Sequence, residues 1–396
     1  DLLSKTLKGI YPKVTFVSNI TDIDDKIITE ASKQSCSINE LTQKYYKKFM
    51  NDADILGISK PDLQPFATDY VDEMIDYIQT LLKNNSAYEI SGNVLFEVNK
   101  FSNYGCLSGR CIEEQDSGAR VKIEDYKKNP NDFTLWKPSL ANEPGWESPW
   151  GYGRPGWHLE CSVMSESVLG VPFDIHGGGN DLKFPHHDNE IAQTCGFHNS
   201  SDPTCFAKYW VHNGFLNLAD EKMSKSLGNV VYIDDLLKEF KGNEIRLALL
   251  STHYRQPIPW SLNLLKQAAS VARKISRFTS SYTTKSKFFP GSNIGKAILD
   301  DLNTPKALAI MQSVITNPKK FDIDQEISTF RYIFEGSKQD LSLSKEDQDK
   351  INQLIKLRLK ARENGDYQAA DKIRDELNKM HVSIKDKNGK TEWEIL

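Results

Sequence analysis

The sequence predicts an α/β protein: a doubly wound parallel-sheet domain with an insertion, then an α-helical bundle and a small α+β module. Three observations carry this expectation. Short β-branched or aromatic runs alternate with helix-periodic stretches up to about Leu218. After Ile233 the pattern is helical. A charged helical hairpin and a β-hairpin pattern close the chain. The 396 residues leave room for several domains. The expected divisions are 1–84 and 151–232 for the two parts of the first domain, and 85–150 for the insertion between them. The bundle takes 233–343 and the last module 344–396.

In order along the chain, Val14 to Val17 is β-branched and aromatic, the composition of a buried strand. Asn19-Ile20-Thr21-Asp22 offers turn and N-cap chemistry ahead of a stripe at Ile23, Ile27, Ile28 and Ala31. Ser37-Ile38-Asn39-Glu40 is a capping box, followed by Leu41, Tyr45 and Phe49 on one helical face. Tyr70 to Leu82 is a further helix and Val94 to Val98 a strand. Between Gly105 and Trp150, Gly, Pro, Asn and aromatic residues dominate, which marks the insertion. Phe173 to His176 is a strand ending in three glycines. Pro185 to Thr194 begins as a helix with Pro in its first turn, and Trp210 to Leu218 is strand-like. Ile245 to Leu250, Leu262 to Thr279 and Ile294 to Ile315 suggest the bundle. Ile351 to Arg362 and Tyr367 to Met380 pair as helices broken at Asn364-Gly365. Val382 to Ile384 and Thr391 to Ile395 pair as strands around an Asn388-Gly389 turn.

Charged residues make up 26% and hydrophobic ones 39%, with a formal net charge of -4. That is a globular composition, and it lacks the strong basicity common in nucleic-acid binders, although a helix can sort its charges by face. No apolar run reaches the ~18 residues of a membrane span, and no signal peptide is evident. The six cysteines, Cys36, Cys106, Cys111, Cys161, Cys195 and Cys205, have no framework spacing. They read as reduced thiols of a cytoplasmic protein.

Three constellations carry chemistry. His186 and Glu190 are four apart and share one helix face, and Cys161 closes the run Gly156 to Cys161. Thiolate, imidazole and carboxylate are all zinc ligands; His187 is the fallback. Core packing for Cys161 and a surface pair for His186 and Glu190 are the bland readings. Second, Gly177, Gly178 and Gly179 follow a strand, which lets a ligand approach backbone closely. Asp181 could accept from ribose hydroxyls there, although a loose turn has the same composition. Third, Glu221 to Asn229 is a loop with two lysines, Lys222 and Lys225. Lysines on such a loop suit neutralisation of charge that builds up on a phosphate; by composition alone it is a solvated turn.

Lys222-Met223-Ser224-Lys225-Ser226, downstream of Asp174 to Asp181, resembles the second signature of class I aminoacyl-tRNA synthetases. The chain as a whole is similar to the cysteinyl-tRNA synthetase family. The residues that carry the resemblance are Asn19 to Ile27, Gly153 to Ser162, Asp174 to Asp181, Phe184 to Gln193, Lys222 to Asn229, Asp301 to Pro305, and the last stretch with Ala369-Ala370-Asp371 and Trp393. The middle insertion and Ser276 to Asn293 match loosely.

The resemblance implies a Rossmann-like catalytic domain. It implies ATP-dependent activation of L-cysteine to cysteinyl-adenylate and transfer to the tRNA for cysteine. It further implies Zn2+ on Cys161, His186 and Glu190, and a cysteine pocket lined by Thr21 and Trp157. Gly177, Gly178 and Asp181 would meet ATP, Mg2+ would accompany it, and Lys222 and Lys225 would act on its phosphates. Residues from about Ser344 on would read the anticodon, and a monomer is expected. The family's first zinc Cys and its His-Ile-Gly-His motif do not occur in this sequence. Val14 to Val17 is therefore expected to be an inner strand whose missing neighbour lies upstream, and a protein starting at Asp1 is expected to be inactive. Two other readings are a cysteine ligase with a non-tRNA amine acceptor and a non-catalytic tRNA- or zinc-binding fragment.

Overall fold

A computed structural model describes residues 1–110, 127–140, 143–218, 221–222, 230–335, 345–379, 382–387 and 390–395. The chain divides into two compact units, Asp1–Gly336 and Ser337–Leu396.

The first unit opens with four helices: α1 (Leu2–Lys8), α2 (Asp25–Gln34), α3 (Ile38–Ile55) and α4 (Val71–Lys83). The α2 cap is Asp24, whose carboxylate accepts from Lys26 N at 2.8 Å. That places the cap two residues beyond the expected Asn19–Asp22 turn. The capping box of α3 is formed: Ser37 Oγ accepts from Glu40 N, and Glu40 Oε2 accepts from Ser37 N at 2.9 Å. The α4 stripe buries Val71, Met74, Ile75, Ile78 and Leu81, the spacing of one helical face.

Val14 to Val17 is not a regular strand. Val17 and Ile20 form isolated parallel bridges to Leu63 and Phe66. Pro61 and Pro65 lie in the partner segment, and proline has no N–H for a ladder, so pairing stops at bridges.

Four strands follow as one antiparallel sheet in sequence order: β1 (Ala87–Ile90), β2 (Asn93–Phe96), β3 (Phe133–Pro138) and β4 (Gly153–Pro155). Its last strand lies past residue 150 and runs directly into α5 (Trp157–Leu169). Val94, Phe96, Leu135 and Trp136 share one core with Met74, Ile78, Leu159 and Ile191. The expected insertion is thus built into the core of the first unit.

Next comes a parallel β-α-β unit: β5 (Phe173–Gly179), α6 (Asp188–Phe197) and β6 (Ala207–Asn213), with Phe173 opposite Ala207 and Gly177 opposite Val211. A helical turn at Lys183–His187 precedes α6. The expected helix start at Pro185 therefore shifts to Asp188. Phe184 precedes a proline and is extended (φ -141°, ψ 134°). β7 (Leu216–Leu218) pairs with β8 (Glu221–Lys222) and, in parallel, with β9 (Ile258–Trp260). β6 and β7 are separate strands where one was expected. At Gly214 between them an added Cβ would lie 2.4 Å from the Gln256 carbonyl oxygen. Among the described residues the parallel strand pairs fall in two sheets, with the bridges at Val17 and Ile20 outside both, not in one continuous doubly wound sheet.

The helical region holds α7 (Ile233–Leu236), α8 (Gly242–Leu250), α9 (Leu262–Thr279), α10 (Asn293–Leu299), α11 (Thr304–Thr316) and α12 (Ile323–Phe334). Ser261, Ser292, Asn303 and Asp322 cap α9 to α12 through their side chains. Their apolar faces meet in a core that includes Ile245, Leu265, Ala297, Met311, Ile327 and Ile333.

The second unit is a helical hairpin, α13 (Lys345–Glu363) and α14 (Tyr367–Lys379), followed by the antiparallel pair β10 (Val382–Lys387) and β11 (Lys390–Ile395). Gly365 takes φ +76° at the helix break, the conformation that glycine adopts without penalty. Ile351, Ile355 and Leu377 form its core. Ile384 stands opposite Trp393 in the register. The Asn388-Gly389 turn lies outside the described residues. Among those residues no helix is long and apolar enough to cross a membrane.

Candidate active site

Three elements converge on one buried group. Cys161 sits on the second turn of α5, His186 in the turn before α6, and Glu190 on the first turn of α6. One ligand atom from each lies within 4.8 Å of the other two. Glu190 is 0% exposed and His186 3%. The helix start moved, yet His186 Nε2 still approaches Glu190 Oε1 to 3.3 Å.

The other carboxylate oxygen of Glu190 meets His176 Nε2 at 3.1 Å. Both imidazoles reach the carboxylate off-axis, so both Glu190 oxygens are left without a well-aligned hydrogen bond. A buried carboxylate left so is costly unless something completes it. Burial opposes its ionisation, and the His176 and His186 imidazoles outweigh burial and hold the carboxyl well below the ordinary carboxylate range. Burial, then the Glu190 and Glu160 carboxylates, push the Cys161 thiol up.

The surrounding side chains fix these groups. His158 Nδ1 and His186 Nδ1 are 2.8 Å apart. With the proton on His186 Nδ1, the Nε2 lone pair faces Glu190 and Cys161. The Asn19 amide donates to Cys161 Sγ at 3.6 Å. Burial lowers His158 and His187 to about 3, so both rings are neutral near pH 7. His176, His187 and Glu190 make a second ligand-competent trio on the same carboxylate. His187 is engaged on its far side, where its Nδ1 lies 2.8 Å from His212 Nε2.

The sequence pattern pointed to Cys161, His186 and Glu190 and missed His158, His176 and Asn19. His158 had a legible signal, since it is three residues before Cys161 and shares its helix face. His176 had none, because its approach to Glu190 depends on the fold bringing β5 beside α6.

Trp157 opens α5 with 45% exposure, and its ring lies 4.4 Å from that of His186. Trp157, His158 and Glu160 line a cavity of about 300 Å3, with Asp24, Lys137 and Arg154 on its other wall. Thr21 is half-buried and its hydroxyl lies against Glu160. Burial raises the Glu160 carboxyl to about 9, against that contact.

Gly177 and Gly178 lie at the carboxyl end of β5. A Cβ at Gly178 would come within 2.9 Å of the His187 ring, so packing alone demands glycine there. Asp181 folds its carboxylate back over Gly179, where a Cβ would lie 2.5 Å from Asp181 Oδ1. Lys222 lies in β8, in backbone pairing with Asn217. Lys225 and the rest of 223–229 lie outside the described residues.

A family model described as the tRNA synthetases class I (C) catalytic domain matches residues 1–270. A second, the cysteinyl-tRNA ligase anticodon binding domain, matches 347–393. The cysteine–tRNA ligase of Pelagibacter ubique (strain HTCC1062) is 42% identical over 100% of this chain and 89% of its own length. The chain belongs to the cysteine–tRNA ligase family. The enzymes of that name from Wolbachia pipientis subsp. Culex pipiens and Rhodospirillum rubrum are 43% and 41% identical, each over 99% of this chain. Among solved structures, Mycobacterium tuberculosis methionyl-tRNA synthetase bound by methionyl-adenylate matches with TM-score 0.56. Its sequence identity is 12%, over 84% of each chain. That likeness concerns the fold, which is that of a class I tRNA synthetase with a Rossmann-like catalytic domain.

Proposed function

We propose that this chain activates L-cysteine with ATP and transfers it to the tRNA for cysteine. The observation that carries the chemistry is the buried convergence of Cys161, His186 and Glu190 in a chain of this family. The residues fit zinc. One sulfur, one imidazole nitrogen and one carboxylate are the ligand types zinc takes, and both oxygens of Glu190 lack a well-aligned hydrogen bond. Zinc supplies a sulfur-preferring Lewis acid that favours a thiolate over a hydroxyl. A pocket of shape alone separates cysteine from serine poorly.

The chain's own residues supply the rest. His158 orients His186, and Asn19 positions Cys161. Trp157 borders the cavity beside the ligand group, Thr21 lies behind it against Glu160, and the two would enclose the amino acid. Gly177 and Gly178 let the nucleotide approach β5, and Asp181 would accept from its ribose. Lys222 and Lys225 would neutralise phosphate charge, with Mg2+ carried in by ATP. On this reading 1–84 and 151–232 form the catalytic domain and 85–150 its insertion. Residues 233–343 form the stem-contact region and helical bundle, and 344–396 the anticodon module.

Two assays test the reading. Pyrophosphate exchange into ATP should depend on L-cysteine and be negligible with L-serine. Deleting 344–396 should preserve that exchange and cripple tRNA charging. Exchange without cysteine dependence contradicts the first half, and intact charging by the deletion contradicts the second. The match over 347–393 favours tRNA over other amine acceptors.

A further inference from the structure

Cys195 lies on the last turns of α6, fully buried at 1% exposure. Cys205 ends the short turn Pro203–Cys205 and is half-buried. Their sulfurs are 3.1 Å apart, and both are free thiols. Among the described residues these are the two thiols whose sulfurs meet. Neither belongs to the ligand group around Glu190.

We propose that Cys195 and Cys205 form a reversible dithiol–disulfide modification site whose co-reactant is a low-molecular-weight disulfide of the glutathione type.

The two sulfurs hold different positions, and the difference assigns their roles. Cys205 is half-buried and ends a turn whose neighbours Asp202 and Thr204 are exposed, so it is the more open of the two sulfurs to a small disulfide. Cys195 is sealed within α6. The Cys195 S–H can donate to the Asp202 carbonyl at 3.3 Å or to Cys205. When Cys205 ionises, that proton can turn toward it, and this hydrogen bond draws the Cys205 thiol down. The same pairing, with burial after it, pushes the Cys195 thiol up. The reachable sulfur is thus also the more acidic one, as an attacking thiol should be.

The step balances. The Cys205 thiolate attacks one sulfur of the small disulfide, and one small thiol leaves with the proton Cys205 had lost. The Cys195 sulfur then attacks Cys205 within the mixed disulfide. Its proton goes to the second departing small thiol. Two protein thiols are oxidised and one small disulfide is reduced to two thiols. Bond formation needs the sulfurs to close from 3.1 Å to about 2.05 Å. A three-residue turn, less tightly bonded than a helix, can absorb a shift of about 1 Å. The bond would tie the end of α6 to the turn two residues before β6, which pairs with β5 at Gly177 to Gly179.

The test uses the zinc-loaded full chain treated with oxidised glutathione, then alkylated and digested without reductant. The expected result is the loss of two alkylatable thiols and a linked peptide pair joining Cys195 to Cys205, both reversed by dithiothreitol. Cys195→Ser should hold glutathione on Cys205 as a stable mixed disulfide. Cys205→Ser should leave Cys195 unmodified. The proposal is overturned if both thiols of the unaltered protein stay alkylatable while exposed Cys106 is oxidised. It is equally overturned if Cys195→Ser carries no adduct on Cys205, or if Cys106 is joined to either residue.

Discussion

Glu190 and Glu326 are both carboxylates buried on helices, and they are held in opposite ways. Glu326, 1% exposed on α12, accepts from Asn293 N at 2.8 Å, Asn293 Nδ2 at 2.7 Å and Ile294 N at 3.0 Å. It closes the start of α10 and has no need of a ligand. Glu190, 0% exposed, faces imidazoles and a thiol, and neither of its oxygens has a well-aligned hydrogen bond. The contrast extends beyond the two residues. Among the described residues, the buried side-chain polar atoms without hydrogen-bond partners all lie at or before Thr194. The helical region satisfies its buried polar groups, as a part of the fold that only has to be stable should. Several of the open atoms lie on α5 and α6, both Glu190 oxygens among them.

The largest effect expected concerns Glu190→Gln. This variant should lose bound zinc and lose cysteine-dependent exchange by more than the ~100-fold typical of residues that merely support a metal site. Its melting temperature without metal should fall only modestly, because the charge lost against His176 and His186 is offset by relief of a buried carboxylate. Metal analysis and exchange assays on one preparation check both. Retained zinc would break the contrast.

Lys225→Ala should come next, with adenylate formation slowed by about 100- to 1000-fold and cysteine affinity little changed. The lysine should act on charge that develops in the transition state, so its loss belongs in the rate. Pre-steady-state kinetics separate the two. Equal losses in affinity and rate would indicate a structural role.

Glu326→Ala should reverse the Glu190 pattern. It strips three donors of their acceptor and should cost about 1–3 kcal/mol of stability. Zinc content and exchange by the folded fraction should stay unchanged. Denaturant unfolding beside the exchange assay measures both.

The smallest effect lies on the surface. Arg255 Nε donates to Asp301 Oδ2 at 2.6 Å, and Arg255, then Tyr254, hold the Asp301 carboxyl below its ordinary value, against burial. A depressed folded-state value means that the pair stabilises at neutral pH and loses that stability as pH falls through the carboxylate range. Both side chains are about half exposed, so Asp301→Asn should cost at most about 1 kcal/mol at neutral pH. The cost should vanish in acid. Asp301 has φ +54°, which asparagine tolerates, so the substitution keeps the backbone and removes the charge with one acceptor oxygen. Unfolding measured across pH checks it.

Legibility in the sequence followed how local the determinant was. The α3 capping box, the α4 stripe and the break at Gly365 depend on neighbours within a turn or two, and the pattern contains them. The cluster of Cys161, His186 and Glu190 was readable because His186 and Glu190 are four apart in a helix-like pattern, which survives the later start of α6, and Cys161 sits in a recognisable run. His176 was not, since only tertiary packing of β5 on α6 brings it to Glu190. The fate of Val14 to Val17 was hidden for a similar reason. Its own residues favour a strand, and the prolines of a partner segment more than forty residues away limit it to bridges. Of the antiparallel sheet, β2 was readable as a strand, whereas β3 was not, because the glycine- and proline-rich stretch after it masks the buried faces of Leu135 and Trp136.

The most direct test of the account replaces zinc with cobalt and follows the visible spectrum as substrate is added. If Cys161, His186 and Glu190 hold a metal that takes the substrate's sulfur, L-cysteine should strengthen the thiolate-to-cobalt charge-transfer band. L-serine should leave the band unchanged, and Cys161→Ala should weaken it before any substrate is present. A spectrum indifferent to L-cysteine, or equally responsive to L-serine, would contradict the account.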